Sequence, residues 1–108
     1  MATVYKVLGQ ANPAAITATT LYTVPAATSA VISTLSIANL GVSTTYRVAV
    51  RPAGASLANQ HYLAYDVPIN ANDTVMLTLG VTLAATDVVT VDAGTTNLAF
   101  SLFGSELT

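Results

Sequence analysis

The chain has 108 residues, 53% of them apolar, yet only three are Lys or Arg and five are Asp or Glu. A soluble domain ordinarily carries about 25% charge, and this one carries 7%. Three cations cannot neutralise a nucleic-acid backbone, the lack of Cys removes disulfides and thiolate metal sites, and no apolar run approaches the ~20 residues that cross a bilayer, so neither nucleic acid nor membrane is expected as a partner.

Short β-branched and aromatic runs separated by Gly, Pro, Asn and Asp give a strand-and-turn reading throughout. Thr3 to Gly9 forms a first strand, with Val4, Lys6 and Leu8 on one face and Tyr5 and Val7 on the other. The Ala-rich stretch Ala11 to Ala18 is the one place for a helical turn, and Pro13 argues against a long one. Leu21 to Val24 is a short strand stopped by Pro25. Ala30 to Asn39 follows, with Leu35 and Ile37 inward. In the next strand Tyr46, Val48 and Val50 face the core, while Arg47, Ala49 and Arg51 face outward. The turn around Asn39-Leu40-Gly41 predicts that these two strands pair as an antiparallel hairpin.

Ala53 to Asn59 is small and polar and predicts a mobile loop. Gln60 to Val67 reads as a strand, on which Tyr62 and Tyr65 fall on opposite faces. After a turn-rich connection, Val75, Leu77 and Leu79 alternate with Met76 and Thr78, and Gly80 marks a bulge or bend before Val81 to Leu83. Asp87 to Asp92 has Val89 and Val91 inward, and Gly94 to Asn97 predicts a final hairpin turn into Leu98, Phe100 and Leu102. The whole is an all-β, single-domain antiparallel β-sandwich over residues 1–108, of jelly-roll or Ig-like type, with about eight short strands.

Candidate chemistry is sparse. His61 is the single histidine, and Asp66, five residues on in a strand, points to the opposite face, so the two make no catalytic pair. Asp66, Asp73, Asp87, Asp92 and Glu106 contain no run of spaced oxygens of the kind that binds calcium. Asp73 and Asp87 precede strands, where a carboxylate accepts turn hydrogen bonds. The glycines are isolated and form no phosphate loop. No enzyme activity, cofactor or metal is expected.

The outward positions are mostly Thr, Ser, Ala and Met, which make a flat surface with little repulsion between copies. Such a surface is expected to be covered, by copies of itself in a homo-oligomer (a trimer first) or by a larger assembly. The expected interface residues are Tyr5, Arg47, Arg51, His61, Tyr62, Leu63, Tyr65 and Met76, with an outward tyrosine beside His61 and Leu63 as an anchor.

Over nearly its whole length the chain resembles short virion structural proteins of tailed bacteriophages. The resemblance is carried by Ala2-Thr3-Val4-Tyr5-Lys6-Val7-Leu8-Gly9-Gln10, Leu21-Tyr22-Thr23-Val24-Pro25 and Ser33-Thr34-Leu35-Ser36-Ile37-Ala38-Asn39. It continues in Val89-Thr90-Val91-Asp92-Ala93 and Phe100-Ser101-Leu102-Phe103-Gly104-Ser105-Glu106. It implies a particle component made in the host cytoplasm, with the major capsid protein or other virion proteins as partners, and it transfers no catalytic residue. A capsid decoration or cement protein is the first expectation and a neck, tail or baseplate accessory protein the second. A carbohydrate-binding module ranks third, since it needs a planar cluster of aromatics and the tyrosines are scattered along the sequence.

Overall fold

A computed structural model describes residues 2–108. Eight strands run in order as β1 (Thr3–Ala11), β2 (Thr19–Thr23), β3 (Ser29–Asn39), β4 (Thr44–Arg51), β5 (Tyr62–Ile69), β6 (Thr74–Leu83), β7 (Val88–Ala93) and β8 (Leu98–Leu107). Two single-turn 3-10 segments, Pro52–Gly54 and Asn59–His61, lie between β4 and β5. Two antiparallel four-stranded sheets result, ordered β1-β8-β3-β6 and β2-β7-β4-β5.

The pairs β1–β8, β2–β7, β3–β6 and β4–β5 are all antiparallel partners. The chain is therefore one long hairpin with its tip between β4 and β5, rolled so that, apart from β4 and β5 at the tip, successive strands fall in alternate sheets. That is the jelly-roll form of the sandwich, not the Ig-like one. The ends meet where the roll closes: the Ala2 N–H donates to Thr108 O and the Thr108 N–H to Ala2 O, both at 2.9 Å.

Rolling overturns two expected hairpins. β3 and β4 lie in opposite sheets, as do β7 and β8. Asn39 makes the first crossing. Its buried amide donates to Val42 O at 2.8 Å and Asn70 O at 3.1 Å, and its Oδ1 accepts from the Gly41 N–H at 3.0 Å. These bonds satisfy a corner of backbone that turns into the other sheet. Residues 11–18 hold no helical turn; Ala15 bridges to Ala93 instead.

Between the sheets lie Ile32, Leu35, Ile37, Val48, Val89, Val91, Leu98, Phe100 and Leu102, each almost wholly buried. Leu35, Ile37, Val48, Val89 and Val91, read from sequence as inward, are in this set; Val50, also read as core-facing, is half-buried and packs against it with Leu77. Ala49, expected outward, is buried too. It lies on the outer face of β4, and the β4–β5 connection folds back over that face. The connection is clamped: Arg51 donates to Thr90 Oγ1 at 3.1 Å and to Ala55 O at 3.1 Å, and Asp87 accepts from the Ala53 N–H at 2.8 Å. The loop expected to be mobile is thus tied at Ala53 and at Ala55.

Extra residues in single strands set the shape. Gly80, at φ +60°, sits where β6 carries one residue more than β3, which is the bulge its glycine predicts. β1, β2 and β5 are bulged as well, β5 twice.

Candidate interaction surfaces

Register identifies what each sheet shows to the outside. On the β1-β8-β3-β6 sheet, Gln10, Ser101, Ser36 and Met76 lie in one cross-strand row, and Val7, Phe103, Thr34 and Thr78 in the next. Tyr5, Ser105, Val31 and Thr82 form a third. Among the described residues, no charged side chain is on this face. Lys6 and Glu106 point inward at the sandwich end, Asp73 is in the β5–β6 loop, and Arg47, Arg51, Asp66, Asp87 and Asp92 belong to the other sheet or its loops. Of the expected interface residues, Tyr5 (82% exposed) and Met76 (64%) lie here, at opposite edges. Val7, Val31 and Phe103 join them without being singled out by the sequence reading, although the alternation of Phe103 with Leu102 marks it as outward.

The outer face of the β2-β7-β4-β5 sheet is different. Arg47 pairs with Asp66, Nε to Oδ1 at 2.7 Å, and its guanidinium carbon lies 4.0 Å from the centre of the Tyr65 ring. Tyr62 meets Tyr65 edge-on, centroids 4.8 Å apart and planes at 83°. Tyr62 and Tyr65 thus share a face, contrary to strict alternation. The first bulge of β5, at Leu63, resets the side-chain phase between them; the second, with Asp66 at φ +51°, follows Tyr65. Crossed rings, one covered by a guanidinium, make no flat platform for a sugar ring.

Two expected interface residues bond to their own chain's β4–β5 connection. His61 is 9% exposed and lies in a 3-10 turn, not on a strand. Its Nδ1 accepts from the Ala58 N–H and its own N–H donates to Ala58 O, both at 3.0 Å. Arg51 is the clamp described above. Alternation alone does not reveal the setting of His61, because the chain leaves strand geometry at Pro52 and re-enters it only at Tyr62.

Leu63, 49% exposed, and Met76 come together along one side of the sandwich. There the edge strands β5 and β6 leave a groove lined by Leu63, Ala64, Val67, Met76, Leu77 and Leu79. Sequence spacing places the two on separate strands without showing that the roll brings those strands side by side.

At one end of the sandwich, Glu106 of β8 accepts from Lys6 Nζ at 2.8 Å and from the Tyr22 hydroxyl at 2.5 Å, joining the two sheets. Lys6, and then Tyr22, hold the Glu106 carboxyl below its usual range by bonding to the charged form. Burial, and then Glu106 itself, raise the Tyr22 phenol. A folded-state value below the unfolded one stabilises the protein above the ordinary glutamate value of about 4.3. That stability is lost as pH falls through the folded value. The melting temperature should therefore drop on acidification below about pH 4 more steeply for the natural chain than for Glu106→Gln. Parallel curves would remove Glu106 as a contributor.

Among the described residues no three His, Asp or Glu side chains gather as a metal site. No helix of the described residues is long and apolar enough to cross a membrane. No family model matches the chain, and no curated protein matches it.

Proposed function

We propose that this chain is a non-enzymatic structural protein of a tailed-bacteriophage virion, acting as a capsid decoration or cement protein that stabilises the head lattice. The observation that carries the reading is the uncharged outer face of the β1-β8-β3-β6 sheet. Four strands present Thr, Ser, Ala, Val, Phe, Tyr and Met there, with every formal charge placed elsewhere. A free monomer normally guards a sheet of this kind with charge; a part held against a neighbour has no need of it. Flat small side chains let another backbone approach closely, so binding rests on buried area and not on chemistry.

The likeness to short virion structural proteins supports the same reading, with the major capsid protein or another virion protein as the covering partner. Placement on intact virions tests it directly. A gold label on this protein should decorate the head. Particles lacking it should break at lower temperature or weaker osmotic shock than complete ones. Label confined to the neck or tail would assign the accessory role instead, and unlabelled virions would end the virion reading altogether.

A further inference from the structure

We infer that β6 is a self-pairing edge, through which two copies of the chain join antiparallel about a two-fold axis and merge their β1-β8-β3-β6 sheets. This does not rest on a virion location, since it concerns the isolated protein.

A sandwich of two four-stranded sheets has four edges, here β1, β6, β2 and β5. Each edge strand offers a row of unpaired backbone donors and acceptors, which proteins guard with charge, proline, bulges or shortness. Three of these edges are guarded. β1 carries Lys6 and a bulge between Val7 and Gly9. β2 is only five residues long and is bulged between Thr20 and Tyr22. β5 contains Asp66 and Pro68 and is bulged twice. β6 is the exception. It has ten residues, no charge and no proline, and its one irregularity, at Leu79-Gly80, leaves Thr74–Thr78 regular.

The chemistry of such an edge names its occupant: another β-strand, supplying main-chain hydrogen bonds. Three features favour β6 of a second copy. A two-fold axis brings an edge against itself, so like charges on it would meet; β6 has none. A register centred on Leu77 sets Val75 opposite the partner's Leu79, and Met76 opposite the partner's Thr78, so no apolar residue faces a charge. The same approach covers the groove beside β6, whose rim residues Leu63 and Met76 are exposed. β1 of another copy is a poorer match, because Lys6 and its bulge interrupt the ladder. An isologous contact closes at two copies, so a pair replaces the trimer expected from composition.

The five paired residues Val75 to Leu79 span about 17 Å. With the groove rims included, the contact lies at the low end of specific interfaces, about 1,000 Å² in total. A dimer of micromolar affinity is therefore expected.

Sedimentation equilibrium of the full chain from about 1 to 200 µM, around the micromolar dissociation constant expected here, should show a monomer–dimer equilibrium. The double variant Met76→Lys and Thr78→Lys sets lysine opposite lysine and should raise the dissociation constant tenfold or more. Tyr5→Lys, on the far edge, should leave it unchanged. Hydrogen exchange on the natural chain provides a readout that does not depend on a variant folding. Alternate amides within Val75–Leu79 should gain protection as concentration rises, while those of β1 do not. A chain that remains monomeric throughout, or a dimer untouched by the two lysines, overturns the proposal. So does exchange within Val75–Leu79 that is independent of concentration.

Discussion

Replacing Phe100 by alanine is expected to destabilise the protein by about 3–5 kcal/mol. Phe100 is the largest of the fully buried side chains and is 1% exposed. It sits near the start of β8, the strand that pairs with β1 on one side and β3 on the other, opposite Ala11 and Ile37. The surrounding wall comes from two sheets held by their own ladders, so collapse into the cavity is limited and the larger part of that range applies. At about 4–8 °C per kcal/mol for a domain near this size, the melting temperature should fall by more than about 12 °C. Phe103→Ala is the internal control. It removes the same atoms three residues along the same strand, but from the outer face, and should cost less than about 1 kcal/mol in the isolated chain. Equal losses in a denaturation experiment would mean that the inward and outward faces of β8 have been assigned wrongly.

The two phenylalanines also show how far the residues alone reveal the fold. Period-two alternation tells Phe100 from Phe103, as it tells Leu35 and Ile37 from Ser36, because a strand in register with a buried face has only one phase that works. Strand limits are readable for a similar reason: Pro25, Pro52 and the turn residues around Asn72 interrupt the apolar runs. What alternation cannot carry is a bulge. One extra residue inverts every later side chain, and in β5 one such shift falls at Leu63, between Tyr62 and Tyr65. Tyr62 and Tyr65 therefore meet, though counting along the sequence separates them. Gly80 is the exception among the bulges, since its residue type announces the positive φ; Leu8, Leu21 and Ser33 carry no such mark.

Sheet membership is harder still to read. A loop such as Asn39-Leu40-Gly41-Val42-Ser43 has the composition of a hairpin turn, and nothing local distinguishes a turn within a sheet from a corner between sheets. The distinction lies in what Asn39 bonds to, and Asn70 is distant in the chain. The same long-range pairing brings Leu63 beside Met76 and lays the β4–β5 connection over Ala49. Residue types thus predict the faces, and only the rolled topology determines which faces adjoin. The low charge of the chain is visible at once, but its consequence is sharper in three dimensions. All eight charged residues avoid one sheet's outer face, and β6 is the long edge left without a guard.

The rolled topology also makes a second strong demand, at Gly104. A Cβ built there would collide with the backbone oxygen of Val31 and press on the Leu8 side chain. Leu8 is itself the extra residue of β1, and Val31 lies two residues before Ser33, the extra residue of β3. The strand between them is fixed on both sides, so Val31 O cannot retreat without shifting a ladder. Gly104→Ala should therefore cost about 3 kcal/mol, at the upper end of the usual overpacking range. Gly80→Ala gives the contrast. Nothing lies within 4 Å of its missing Cβ, and only its φ of +60° opposes a side chain. That strain amounts to about 1–2 kcal/mol for one residue. Urea titration of both variants should place Gly104→Ala clearly below Gly80→Ala in stability, with unchanged slopes. If Gly104→Ala proves the milder change, close approach of β3 to β8 at that point is not what the glycine is for.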